Sequence, residues 1–363
     1  MEPSHPGRVL DSAPTTVRPR SGAGHTPTQL DRWRVNRSSI TTPVWLGRVR
    51  RPRFVPWCTP PRALPCTVVI PSTVDEVVDA FAEHDYVADR SLAVAVHLSL
   101  SLGRPLFLEG EAGVGKTEVA KVLAAVLGSR LIRLQCYEGL DVSNAVYEWD
   151  YARQMLAIRL IEARGDGAHA GVDDIMSRNF LIARPLLQAI ESADGGVRPV
   201  LLIDELDRAD EEFEAYLLEV LSDFQITIPE IGTIRAVEPP VVIVTSNRTR
   251  EIHDALKRRC IYHWVDYPDV DREVEIVHTR VPDLDRRLTV QLALAMADLR
   301  SFDLFKPPGV AETIDWANAL RVLGSQDLDE AVVADTLGVI LKYREDVEAV
   351  RGRGLAAVIH QVE

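Results

Sequence analysis

Three sets of residues in this chain have the types and spacing to handle a phosphate ester. The first is Gly110-Glu111-Ala112-Gly113-Val114-Gly115-Lys116-Thr117, which fits G-x-x-x-x-G-K-[ST]. Its glycines let the backbone turn tightly and bring N–H groups up to phosphate oxygens. Lys116 supplies a mobile point charge for β- and γ-phosphates. The Thr117 hydroxyl is an oxygen ligand suited to Mg²⁺. The second set is Asp204-Glu205, which closes the apolar run PVLLI at 199–203. An Asp at a strand tip holds Mg²⁺ directly or through water, and the adjacent Glu can polarise an attacking water. The third set is Asn247, after the run PVVIVT at 240–245, and the pair Arg258-Arg259. Asn247 either orients a lytic water near the γ-phosphate or is an ordinary turn residue. The two arginines either reach a neighbouring subunit to neutralise transition-state charge or are a solvated helix end.

The flanking patterns say what must position these groups. The apolar run 106–108 precedes the loop, and EVAKVLAAVLG at 118–128 follows it with helical spacing. The loop therefore lies between a strand and a helix N-terminus, where the helix dipole also favours an anion. Helix starts are expected near Ser72–Val74 and Ala88, a second strand over 131–136, and a less regular stretch over 137–180. Helical spacing returns over 178–192 with Pro185 in its first turn. A helix over 211–224 and a hairpin over 226–236 lead into the 240–245 strand. Strands alternating with helices define an open parallel α/β sheet. Past residue 269 only helical spacing remains, over 271–280, 286–299, 311–323 and 328–350. The expected organisation is thus a tail at 1–66, an α/β nucleotide-binding domain at 67–268 and a small helical domain at 269–363.

Composition narrows the function. The net charge is −13, and it is unevenly spread. Residues 1–66 carry eleven Arg, no Lys and three acids, a net of +8, leaving −21 for the remainder. So acidic a core argues against nucleic acid as the main ligand. The tail also holds eleven of the 22 prolines and shows no hydrophobic period. It reads as a transit peptide, a basic arm or an extension of little function; we expect the last. Cys58, Cys66, Cys136 and Cys260 form no C-x-x-C pair and no zinc spacing, as expected of reduced thiols in the cytoplasm. We expect no membrane span and no signal peptide.

The motif order is that of the AAA+ ATPases, and residues 67–322 resemble the MoxR family. Within it they are most similar to the branch containing the ATPase that assists maturation of molybdenum–copper carbon monoxide dehydrogenase. The resemblance is carried by GEAGVGKTEVAKVLA (110–124), LQCYEGLDVSNAVYEWDYARQML (134–156), LLIDELDRADEEFEAYLLEVLSDFQITIPEIGTIRA (201–236), VTSNRTREIHDALKRRCIYHWVDYP (244–268) and KPPGVAETIDW (306–316). It implies a P-loop NTPase core with a helical lid, ATP and Mg²⁺ as cofactors, and a ring, usually a hexamer, with ATP at subunit interfaces. It further implies that Lys116 and Thr117 are the Walker A pair, Asp204 and Glu205 the Walker B pair, and Asn247 sensor 1. Arg259 is the best arginine finger and Arg258 the second. Family members act as chaperone-like remodelling machines, commonly with a von Willebrand A-domain partner and a client enzyme. One departure stands out. Relatives carry a sensor 2 arginine near the start of the third lid helix, but residues 306–313 contain none; Lys306 substitutes for it or the role is absent.

Two other classes compete with a ring ATPase. A nucleic-acid motor or transcriptional regulator on the same core would draw only on the basic tail. A small-molecule kinase or GTPase finds no N-K-x-D motif here, and Glu205 beside Asp204 suits water activation better than transfer to a metabolite.

Overall fold

The computed structural model describes residues 71–164, 175–192 and 197–362. The tail at 1–66, Cys58 and Cys66 within it, and the glycines at 165, 167 and 171 lie outside the described residues. Helix α1 (Val74–Ala82) starts where expected, capped by the Thr73 hydroxyl, which accepts from the Glu76 N–H. Helix α2 (Arg90–Leu102) is capped by Asp89 and ends at Gly103 in the left-handed region. Strand β1 (Leu106–Glu109), helix α3 (Lys116–Val126), strand β2 (Leu131–Gln135) and the short α4 (Val142–Ala145) follow. Next are β3 (Tyr147–Trp149), α5 (Tyr151–Arg164) and β4 (Leu181–Ala183), with β3 and β4 paired antiparallel. Then come α6 (Pro185–Glu191), β5 (Val200–Asp204), α7 (Glu211–Asp223), the hairpin β6 (Gln225–Ile228) with β7 (Gly232–Arg235), and β8 (Val241–Ser246). Helix α8 (Asp254–Lys257) and strand β9 (Ile261–Trp264) close the α/β part. The helices α9 (Val270–Arg280), α10 (Arg286–Ser301), α11 (Val310–Leu323), α12 (Glu330–Ile340) and α13 (Arg344–Arg353) complete the chain.

The central sheet is five-stranded and parallel, in the order β2-β5-β8-β1-β9. Its middle is buried on both faces, which is why β5 and β8 read as unbroken apolar runs. In β5, Leu201 and Ile203 join one apolar cluster and Val200 and Leu202 the other, as period-two geometry demands. The order also dictates where chemistry falls. β1, β5 and β8 are adjacent and parallel, so their C-terminal ends bring residues 110, 204–205 and 247 to one edge of the sheet. A third apolar cluster, which includes the fully buried Trp316, is formed by α9–α13, their connections and the turn at Leu355–Val358.

Three segments differ from expectation. Residues 178–180 form a 3₁₀ turn and 181–183 a strand, so the helix begins only at Pro185. The residue before proline is driven to extended backbone, and Arg184 sits at φ −91°, ψ 172°. Strand β9 lies where no strand is expected; its four residues are mostly half-exposed, and they pair with β1 at the end of the sheet. The 328–350 pattern is two helices. The chain extends at Leu341 (φ −102°, ψ 125°), which lets Leu341 and Val350 enter the same core.

Candidate functional site

The loop 110–117 closes on Lys116. Its Nζ donates to the Gly110 carbonyl (2.7 Å) and the Glu111 carbonyl (2.6 Å), and only 5% of the residue is exposed. Burial pushes the Lys116 ammonium down to about 8, against the pull of Asp207, Glu111, Asp204 and Glu205. Gly110 is there for room. A Cβ on it would lie 2.2 Å from the Val265 carbonyl oxygen. Val265 N–H in turn donates to the Glu109 carbonyl, so the start of the loop is pinned to the end of β9 (2.7 Å).

Thr117 is in the first turn of α3, and its hydroxyl donates to Asp204 Oδ1 across 3.0 Å. The Thr245 hydroxyl donates to the same oxygen at 2.6 Å. Oδ2 of Asp204 accepts from Arg133 Nε (3.0 Å) and Nη2 (2.5 Å). Asp204 is 1% exposed, so this carboxylate is buried with every contact from a donor. The cluster of hard oxygens on Thr117 and Asp204 fits a hard divalent cation better than any soft one.

Glu205 stands at the head of a turn in the left-handed region, φ 54° and ψ 52°. That conformation costs a non-glycine residue on the order of 1 kcal/mol and clusters at functional sites. Its N–H is held by the Thr245 hydroxyl at 2.9 Å. Its carboxylate is reached by Gln135 Nε2 (3.1 Å), Arg208 Nε (2.9 Å) and Asn247 Nδ2 (3.4 Å). Asn247 is therefore brought to the acidic pair, as its place at the end of β8 predicts. Beneath it, Asp207 accepts from the Asn247 N–H (3.1 Å) and from Thr249 N–H (2.9 Å) and hydroxyl (2.6 Å). Burial alone would raise the Asp207 carboxyl, but these donors outweigh it and hold it below the ordinary carboxylate value.

These groups line one cavity of about 340 Å³. Its wall includes Gly113, Val114, Gly115, Lys116, Thr117, Asp204, Glu205 and Asn247. Asp85, Tyr86 and Val87 form another part, and α9 and α11 contribute Arg272, Ile276, Arg280, Val310, Ala311 and Ile314. Burial pushes the Tyr86 phenol well above its usual value, so it stays neutral. Arg258 and Arg259 do not line this cavity. The Arg258 guanidinium is exposed and 3.9 Å from Asp254. Arg259 Nη1 donates to the Leu218 carbonyl on α7 at 3.2 Å. Arg104 fixes the backbone of both, donating to the Arg258 and Arg259 carbonyls. Lys306 does not line the cavity either.

Sequence reasoning missed Arg133, Gln135, Thr245, Asp207 and Arg208. The alternation L-I-R-L-Q puts Arg133 and Gln135 on one face of β2. Only the sheet order shows that β5 is beside it, with Gln135 in register with Asp204.

Residues 105–260 match the family model for the AAA domain, dynein-related subfamily. This stretch is an AAA+ ATPase domain. The match ends just before β9, and the motifs it spans are those that meet at the cavity. The chain is 29% identical over 247 residues to the gas vesicle ATPase GvpN of Haloferax mediterranei, covering 65% of this chain and 67% of that protein. It is 25% identical over 221 residues to an uncharacterised protein of Staphylococcus haemolyticus, covering 59% of this chain and 75% of that one. A mutant structure of Thermotoga maritima RuvB overlays with a TM-score of 0.43 at 18% identity, covering 77% of this chain and 76% of that one. Among the described residues no helix is long and apolar enough to cross a membrane.

Proposed function

We propose that this AAA+ chain hydrolyses ATP as a homo-oligomeric ring and uses the cycle to remodel a client protein. The observation that carries the reading is the meeting of Lys116, Thr117, Asp204, Glu205 and Asn247, from three separate strand ends, at one cavity. In this reading the backbone of 110–115 and Lys116 cradle the β- and γ-phosphates. Thr117 and Asp204 would hold Mg²⁺, which when bound offsets phosphate charge. Glu205 accepts a hydrogen bond from a water in line with the γ-phosphorus. The water's oxygen forms the new bond, the bond to the ADP oxygen breaks, and the water's proton passes toward Glu205. Asn247 fixes the water and the Glu205 carboxylate together. Arg259, or Arg258 beside it, completes the site of the adjoining subunit.

The domain reading is part of the proposal: 67–268 binds nucleotide and 269–363 is a lid over it. So is the family branch. The long matches at 134–156 and 201–236 favour a MoxR-type machine of the cytoplasm. A von Willebrand A-domain partner and a metalloenzyme client follow from that resemblance.

The test is phosphate release by the purified chain with ATP and Mg²⁺. Lys116→Ala is expected to abolish ATP binding and turnover together. Unchanged turnover in Lys116→Ala would sink the assignment of the cavity. For the partner, a co-purified von Willebrand A-domain protein is expected to bind more tightly with ATP than with ADP; equal binding would remove it from the cycle.

A further inference from the structure

The lid sits directly on the phosphate loop, and the contact is backbone on backbone. A Cβ added to Gly309 would lie 2.8 Å from the Ala112 carbonyl oxygen and 2.9 Å from Cα and C of Gly113. The Ala311 N–H, in the first turn of α11, donates to the Gly113 carbonyl at 3.2 Å. Gly309 itself has φ −88° and ψ −176°, extended backbone that any residue adopts. Glycine is therefore needed here for space alone. At a position with ordinary φ, alanine would otherwise be neutral or slightly stabilising.

The contact is braced from behind. Arg300 Nε donates to the Pro308 carbonyl at 2.9 Å. The same guanidinium grips Glu273 with two hydrogen bonds of 2.7 and 2.6 Å and lies 4.7 Å over the Tyr267 ring. Thr313 donates to Glu273 at 2.6 Å. Glu273 and Thr313 are fully buried. Residues 308–311 are thus tied to α9 and α10 on one side and to the phosphate loop on the other. Arg272 and Arg280 reach the cavity from α9, where Arg272 is hydrogen-bonded to the partly exposed Asp89 at 2.7 Å and Arg280 is 3.6 Å from the partly exposed Glu118. Lys306 does not line the cavity, and its backbone N–H donates to Asp346 at 3.2 Å.

We infer that the lid of this protein follows nucleotide occupancy through the Gly309–Gly113 backbone contact, in the place where a lid arginine would otherwise act. Gly309 is a positioning residue. It lets the start of α11 close on the loop, so that Val310, Ala311 and Ile314 form one wall around bound nucleotide. The inference rests on reading the cavity as the ATP site.

The experiment is ATP affinity and turnover of Gly309→Ala, with Lys116→Ala, Gly338→Ala and Lys306→Ala alongside. Gly309→Ala is expected to raise the Kd and KM for ATP at least about tenfold, with a much smaller change in kcat. Its fold should be intact by circular dichroism and by the emission of buried tryptophan. Amides 309–316, protected from hydrogen exchange by ATP in the parent chain, should lose that protection. Ala311→Pro is the second variant, because it deletes one donor that no helix bond needs. It should move affinity in the same direction. Gly338, where an added methyl would have nothing within 4 Å, should tolerate alanine without effect. Parent-like affinity in both Gly309→Ala and Ala311→Pro, with Lys116→Ala inactive, would overturn the coupling but leave the ATP site standing. A tenfold loss in Lys306→Ala would overturn it in favour of a lid cation. A parent chain that binds no nucleotide would overturn the site and the coupling together.

Discussion

Lys116 and Arg259 are both cations proposed to meet a triphosphate, Lys116 that of its own chain and Arg259 that of a neighbour, and the fold holds them in opposite ways. Lys116 is buried and closed onto two carbonyls of its own loop. Arg259 is outside the cavity, its guanidinium resting on the Leu218 carbonyl while Arg104 grips its main chain. The first is built to meet a ligand within one chain. The second has a fixed backbone and a loosely held tip, an arrangement suited to reaching another surface. On the proposed function, the contrast is that one copy supplies the binding half of a site and leaves the catalytic half to its neighbour.

The largest effect that tests this contrast is expected from Arg259→Ala. An arginine finger contributes about 10³-fold or more to turnover. Phosphate release should fall by that order, while ATP affinity stays within about twofold, since a transition-state contact leaves ground-state binding alone. Loss of binding alongside turnover would place Arg259 in its own cavity after all. Mixing inactive Arg259→Ala with inactive Glu205→Gln should restore activity, because intact half-sites then face each other. Mixed rings with no recovery would argue against action in trans.

Glu205→Gln comes next. Removing a positioned base typically costs about 10² to 10⁴-fold. The amide keeps the size of the side chain, so the left-handed turn at 205 and the bond its N–H donates to Thr245 should survive. Hydrolysis should stall with ATP bound, leaving a long-lived assembly by size-exclusion chromatography. Turnover within tenfold of the parent would move the base from Glu205 to another carboxylate lining the cavity.

How much of this is legible in the sequence follows the same division. Residues 110–117, 204–205 and 247 are readable because each ends an apolar run, and a run ending in a polar residue marks a strand tip. Their convergence is readable only through the motif order, since strand order is a long-range property. For the same reason Arg133 stays hidden: nothing in L-I-R-L-Q says that Asp204 lies on the neighbouring strand. Gly309 is hidden differently. In the sequence it is one more glycine after two prolines, and its meaning lies in the 2.8 Å that would separate an added Cβ from the Ala112 carbonyl oxygen. Helical spacing runs through 328–350 although the chain breaks at Leu341, because two helices sharing one core keep the same apolar period.

The smallest effect concerns the buried cation alone. The Lys116 ammonium is pushed to about 8 from a free value of 10.5, chiefly by burial. Between those values the unfolded chain binds the proton that the folded chain has released. This group therefore makes the nucleotide-free fold more stable as pH rises through that window, and its penalty is fully present below about 8. ATP reverses the balance, because phosphate oxygens favour the charged lysine. Above about pH 8 binding must recapture a proton, so affinity should fall by up to about tenfold per pH unit. Calorimetry at pH 7 and pH 9, each in two buffers of different ionisation enthalpy, separates this from general weakening. Proton uptake should appear at pH 9 and be nearly absent at pH 7. Equal affinity and no uptake at pH 9 would mean that the lysine stays charged in the empty loop, and that Gly110 and Glu111 carbonyls alone offset its burial.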